Sequence, residues 1–227
     1  MASNTIYQMK EGTIRSKILI FDLDGTIIDS TEAILESFGK AYETLGGEVP
    51  PAEEIKPLIG LPLDVIFVKL GVPEEDAMAY AKAYKEHYST IHTEKTTLIP
   101  GAKEAIEYGH CYAKLGIVTT KTTQYSRELL EHFDLMKYFD VLIGRDDVEH
   151  PKPHPEPVLK ALSQLNYRFG KVTYFIGDTC VDMEAAEAAE IGSIGVLTGY
   201  MGKEELSECA DFTIADALKA VQFIEKM

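Results

Sequence analysis

The sequence predicts an α/β protein: a Rossmann-like parallel sheet covered by helices on both faces, with an all-helical segment inserted after the first strand. Three observations carry this reading. Short, nearly all-apolar, β-branched runs alternate with stretches of helical periodicity, the pattern of strands buried on both faces. The alternation stops between Ser30 and Leu98, where only helical patterns occur. Acidic, hydroxyl and lysine residues gather directly after the apolar runs, at what would be the carboxyl edge of one sheet.

The elements follow in order. The polar stretch over residues 1–16 reads as an N-terminal arm without an apolar signal core. Lys17–Phe21 (KILIF) reads as a buried strand ending in Asp22. Three helices are predicted next, over Thr31–Leu45, Pro62–Leu70 and Glu74–Thr90. Gly46-Gly47, Pro50-Pro51 and Gly71-Val72-Pro73 separate them. Further strands are expected at Lys114–Thr119, Val141–Ile143, Val172–Ile176 and Ser193–Val196. Helical stretches lie at about 101–109, 123–133, 156–165, 180–190 and 215–226; Val158, Leu162 and Leu165 recur at helical spacing. The expected division is a core of residues 17–29 and 99–227 and a helical cap of residues 30–98, placed at the sheet edge where open α/β folds bind ligands.

The chain has 227 residues, 37 acidic and 22 basic, for a formal charge of −15. This balance argues against a nucleic-acid or anionic-membrane partner. An anionic ligand would need locally concentrated positive charge or a metal. The three cysteines, Cys111, Cys180 and Cys209, are odd in number and far apart. They fit a reducing compartment and argue against a disulfide scaffold or a cysteine zinc site. No apolar run approaches the ~20 residues of a membrane span. A cytoplasmic location is expected; oligomeric state is not readable.

The chemistry-bearing residues sit after the strands. Asp22-Leu23-Asp24-Gly25-Thr26 follows the first, and an extended backbone turns Asp22 and Asp24 the same way. Thr119-Thr120-Lys121 follows the second. Gly177-Asp178-Thr179-Cys180-Val181-Asp182 follows the fourth, with Asp178 and Asp182 on one side of a first helical turn. Lys152 stands between Pro151 and Pro153. Each motif alone fits a turn, a helix cap or a surface lysine. Together, several carboxylates at one edge repel each other unless a cation binds. Carboxylates and hydroxyls without a cysteine or histidine cluster suit a hard ion such as Mg2+. A lysine and a threonine at the same edge suit a phosphate group beside that ion.

Four motifs in this order resemble the haloacid dehalogenase superfamily of phosphatases. Its D-x-D-x-T matches Asp22, Asp24 and Thr26; its strand-ending Thr or Ser matches Thr119; its lysine ahead of a helix matches Lys152; its G-D-x-x-x-D matches Gly177, Asp178 and Asp182. The superfamily's helical cap matches the insertion. Within it, Asp22 to Thr26, Gly60-Leu61-Pro62-Leu63 and Val118 to Lys121 are similar to phosphoglycolate phosphatases and their pyrophosphatase relatives, with Thr120 standing where many of these have asparagine.

The resemblance implies hydrolysis of small phosphate monoesters. Asp22 would attack phosphorus and form an aspartyl-phosphate. Asp24 would act as general acid, then as general base. Mg2+ would be held by Asp22, Asp178 and the backbone carbonyl of Asp24. Lys152 would offset charge on Asp22 and on the transferring group. Thr119, with backbone N–H groups around Thr120, would bind phosphate oxygens. Thr26 and Asp182 would support the site, Asp182 by holding Lys152 or a metal-bound water. Gly60 lies in the cap stretch most like a specificity loop, and Lys56 just before it would orient the distal part of a carboxylate-bearing substrate. The alternatives are a pyrophosphatase, a β-phosphoglucomutase-like enzyme (whose relatives usually carry an apolar residue at Thr26) and a phosphate-accepting signalling module, which is shorter and lacks the insertion. His150 and His154, four apart, are kept off one helix by Pro151, Pro153 and Pro155. Tyr80, Tyr84 and Tyr88 recur at helical spacing and read as cap packing.

Overall fold

The structure, a computed structural model, describes residues 15–168 and 170–227. Most of the expected N-terminal arm therefore lies outside the described residues. The strands are β1 (Lys17–Phe21), β2 (Ile28–Asp29), β3 (Thr97–Leu98), β4 (Ala113–Val118), β5 (Val141–Ile143), β6 (Thr173–Gly177), β7 (Gly192–Val196) and β8 (Phe212–Ile214). The helices are α1 (Thr31–Leu45), α2 (Ala52–Ile55), α3 (Leu63–Lys69), α4 (Glu74–Ile91), α5 (Ala102–His110), α6 (Thr123–His132), α7 (Glu156–Gln164), α8 (Cys180–Ala188), α9 (Lys203–Cys209) and α10 (Ala217–Glu225).

Six strands form one parallel sheet in the order β5-β4-β1-β6-β7-β8. β1 sits at its centre because its last four residues are apolar on both faces and fully buried. Alternation along the strand divides them. Leu19 and Phe21 pack with Ile106 of α5 and with Val221 and Ile224 of α10. Ile18 and Ile20 pack with Val158 and Leu162 of α7 and with Ala185 and Ala186 of α8. Two apolar layers thus clamp the central strand, and they fix the positions of the carboxyl ends of β1, β4 and β6 side by side.

The helices α1 to α4 gather a third apolar cluster of their own, built around Phe38, Phe67, Tyr84 and Tyr88. Phe38 is the hub, its ring centroid 4.8 Å from that of Phe67 and 5.0 Å from that of Tyr84.

Three features depart from the sequence reading. A short strand does occur before residue 99: Thr97–Leu98 pairs antiparallel with Ile28–Asp29, a two-residue ribbon where the chain leaves the sheet and returns to it. Two residues carry no periodicity to read. Helices α2 and α9 and the edge strand β8 are also absent from the sequence reading, α2 covering four residues, α9 being short and polar and β8 covering three residues. Lastly, Cys180 and Cys209 form a disulfide. The cysteine count argued against disulfides, but Cys180 opens α8 and Cys209 closes α9, and the packing of these helices brings their Cα atoms to 5.7 Å. Sequence distance is no guide to a pair made by tertiary packing. Such bonds are uncommon in reducing compartments.

Candidate active site

The carboxyl edge of the sheet brings Asp22, Thr119 and Asp178 together, because β1 pairs directly with β4 and β6. The Asp22 N–H donates to the Ile176 carbonyl at 2.9 Å, so the ladder continues one residue past β1 and holds the Asp22 backbone rigidly. Lys152, from the turn before α7, reaches under this edge. Its Nζ lies 2.8 Å from Asp22 Oδ1 and 2.5 Å from Asp182 Oδ1, and the residue is 2% exposed. A buried ammonium persists only with charged partners of this kind. The second oxygen of Asp182 accepts from the Thr179 N–H (3.1 Å) and hydroxyl (2.8 Å), a capping box that opens α8 and fixes Asp182 in place.

Asp178 is fully buried. Thr26 donates its hydroxyl to Oδ1 at 3.2 Å, and the Tyr200 N–H donates to Oδ2 at 2.9 Å. Two glycines make room for it. A Cβ on Gly25, whose φ is 78°, would lie 2.3 Å from the Asp178 carboxylate, and one on Gly199 would lie 1.9 Å from it. Only bare backbone fits at both walls of this carboxylate.

Oxygens of Asp22, Asp178 and Asp182 all lie within 4.8 Å of one another. Three buried carboxylates against the single ammonium of Lys152 leave two negative charges, which one divalent cation would cancel. Burial, with added repulsion from Asp182 and Asp24 working against Lys152, pushes the Asp22 carboxyl up from 3.8 to about 7. Burial also raises Asp178 well above the usual carboxylate range, again with repulsion from Asp182 and Asp22. Burial alone would lower Lys152, but Asp182 and Asp22 more than offset it and hold the amine charged. The all-oxygen donor set fits a hard cation.

Asp24 faces a different set of partners. Lys121 Nζ lies 3.2 Å from Asp24 Oδ2 and donates to Tyr88 Oη of α4 at 2.8 Å. The Ser30 hydroxyl donates to Asp24 Oδ1. The Thr119 hydroxyl accepts from the Lys121 N–H at 3.2 Å, which leaves its own proton to donate to a ligand oxygen. Asp24 and Thr120, with Gly60 from the turn before α3, line a cavity of about 310 Å³ between helices α1, α3 and α4 and the sheet edge. The structure does not bring Lys56 to this cavity. It sits exposed on a short 3₁₀ turn that buries none of its own residues, outside the cavity lining; the buried side chain here is Ile55, the last residue of α2. The cations that do line it are Lys85, Lys121 and Arg145.

Sequence reasoning passed over Lys121, Ser30, Tyr88 and Tyr200 as site residues. Lys121 directly follows the Thr119-Thr120 pair, which was the available signal. Tyr84 and Tyr88 both pack the helical cluster and line the cavity. Away from this site, His150, His154 and Glu156 do meet, the two rings 4.7 Å apart at their centroids, because the proline-rich turn folds back as no helix would.

The site's buried Asp-Lys-Asp arrangement at the edge of a parallel sheet defines a hydrolase class recognisable by comparison. The profile of the haloacid dehalogenase-like hydrolases matches residues 19–196. The chain belongs to that family. A phosphoglycolate phosphatase from Salmonella typhimurium is 33% identical over 204 residues, 79% of this chain and 81% of that protein. A protein from Caldanaerobacter subterraneus subsp. tengcongensis, provisionally named pyrophosphatase PpaX, is 33% identical over 91% of this chain and 94% of its own. The crystal structure from Bacteroides fragilis of a protein provisionally titled a haloacid dehalogenase-like hydrolase superimposes with a TM-score of 0.85 at 26% identity, covering 90% of this chain and 99% of that one. The protein is therefore a phosphatase of this family; phosphoric monoester hydrolysis is the chemistry for which the Salmonella relative is named, and phosphoanhydride hydrolysis that for which the Caldanaerobacter one is. Among the described residues, no helix is long and apolar enough to cross a membrane.

Proposed function

We propose that this protein is a Mg2+-dependent phosphatase that hydrolyses small phosphate monoesters through an aspartyl-phosphate on Asp22. The observation that carries the reading is the charge balance of the buried cluster: Asp22, Asp178 and Asp182 share one lysine, which leaves two negative charges for a divalent cation to balance. When bound, Mg2+ supplies charge neutralisation between the Asp22 carboxylate and an incoming phosphate. Asp22, Asp178 and the Asp24 carbonyl would hold it, while Asp182 keeps Lys152 in place.

The remaining roles fall to the chain itself. Asp22, its backbone fixed by β6, presents a carboxylate oxygen to phosphorus. Thr119 donates its hydroxyl to a phosphate oxygen, with the backbone around Thr120 alongside. Asp24, poised by Lys121 and Ser30, gives a proton to the leaving oxygen and later takes one from the attacking water. Helices α1 to α4 act as a cap that shields this exchange from bulk water. The relatives' names make phosphoglycolate and pyrophosphate the first substrates to assay. A cytoplasmic location belongs to the same proposal; the Cys180–Cys209 bond is the feature that stands against it, and thiol titration of protein prepared without reductant decides between one and three free thiols.

The test is direct. Asp22→Asn should fold and lose phosphatase activity, and EDTA should silence the wild type until Mg2+ is restored. Turnover of the pure variant above a few per cent of wild type, or full activity in chelator, would overturn the reading.

A further inference from the structure

The cavity beside Asp24 bears on what the leaving group is. On the cap side it is walled by Ile34, Phe38, Ile66, Ala81, Tyr84 and Tyr88, from α1, α3 and α4. Its volume of about 310 Å³ reaches the lower end of the range that takes a small organic ligand. A two-carbon leaving group would fill little of it.

The charges on the lining do not call for a second anion. Lys121 is already paired with Asp24 and hydrogen-bonded to Tyr88. Lys85 and Arg145 share the lining with Asp64 and Asp146, so that this part of the wall is balanced in charge. A carboxylate or a second phosphate would meet an apolar wall and a lining whose three cations, Lys85, Lys121 and Arg145, are matched by Asp24, Asp64 and Asp146, so that no net positive charge offsets its desolvation.

We infer that the site takes a phosphate monoester of an uncharged alcohol carrying a compact, ring-sized apolar body, seated among Phe38, Ile66, Ala81 and Tyr84. The inference rests on the proposed phosphatase chemistry for the phosphate end and adds the leaving group. It sets this chain apart from the small acidic ester for which several of its relatives are named.

Benzyl and ethyl phosphate test it, because both release a primary alkoxide of similar basicity and differ mainly in the body to be seated. With Mg2+, kcat/KM for benzyl phosphate should exceed that for ethyl phosphate by roughly 10- to 200-fold, the range by which apolar pockets discriminate. It should also exceed the values for phosphoglycolate and pyrophosphate. Equal values for benzyl and ethyl phosphate, or a clear preference for either competitor that carries a second anionic group, would overturn the inference while leaving the phosphatase reading intact. Ala81→Leu narrows the cavity and should lower the benzyl-to-ethyl ratio about tenfold; an unchanged ratio in the folded variant counts against this seat. Calorimetry with benzylphosphonate and ethylphosphonate reads the pocket without turnover. Tighter benzylphosphonate binding supports it even if no ester is hydrolysed, a result that would sink the phosphatase reading alone; equal binding overturns it.

Discussion

Lys121 places its ammonium 3.2 Å from the carboxylate of Asp24 and, through the same nitrogen, 2.8 Å from the Tyr88 hydroxyl of α4. One side chain thus ties the second carboxylate of the site to the helical segment above it. Burial would lower the Lys121 amine, yet Asp24 and Tyr88 hold it charged.

Removing that cation should therefore damage both stability and catalysis. Lys121→Met leaves Asp24 partly buried without its ion partner, a change that costs about 3–5 kcal/mol where burial is complete. A loss toward the lower end is expected, read as a lowered denaturant midpoint. Turnover of an alkyl phosphate should fall by roughly 10- to 100-fold, part of the usual contribution of a general acid. An activated aryl phosphate, which needs less protonation of its leaving group, should lose less. Equal losses on both would mean that Lys121 only supports the fold.

Gly199 offers a test of the metal cluster that touches no ligand side chain. A Cβ there would lie 1.9 Å from the Asp178 carboxylate, so Gly199→Ala must displace that carboxylate. Moving a ligand of this kind should weaken Mg2+ binding by roughly 10- to 100-fold, the effect typical of disturbed supporting groups. Titration of Mg2+ against activity, with circular dichroism as the folding check, reads the shift. An unchanged Mg2+ dependence would remove Asp178 from the cation site.

The raised carboxyl of Asp22 makes a prediction about pH. In the metal-free protein, folded Asp22 keeps its proton until about pH 7, whereas the unfolded chain gives it up near 3.8. The folded state then binds more protons across that window, so stability falls as pH rises through it and levels off above. A bound divalent cation favours the ionised form and relieves the penalty. Mg2+ should thus raise the melting temperature more at pH 8 than at pH 5. Equal stabilisation at both pH values would contradict this electrostatic account.

How much of this was legible in the sequence depended on the kind of signal. β1 could be read because four consecutive apolar residues, Ile18 to Phe21, stand between the polar flanks Lys17 and Asp22, and Asp22 because it ends that run. Asp178 and Asp182 could be read as a pair because a helical first turn fixes their spacing. Lys121 was visible only as a cation after two threonines, since its meeting with Asp24 and Tyr88 depends on how α4 packs against the sheet edge. Lys56 shows the converse: sequence proximity to Gly60 suggested a role, but the short turn at residues 56–58 leaves its side chain in solvent. Tyr200 acts through its backbone N–H, which no side-chain pattern reports. The Cys180–Cys209 bond likewise arises from helix packing across 29 residues of sequence.

The central claim is that Asp22 takes the phosphoryl group and Asp24 manages the protons. Mixing Asp24→Asn with Mg2+ and an aryl phosphate, then measuring intact mass and mapping the modified peptide, tests both roles at once. The activated leaving group lets the first step proceed, and the missing base stalls the second. The account predicts one covalent phosphoryl group per chain, on Asp22. An Asp24→Asn variant that turns over alkyl phosphates at the wild-type rate, or a phosphoryl group found on any other residue, would contradict it.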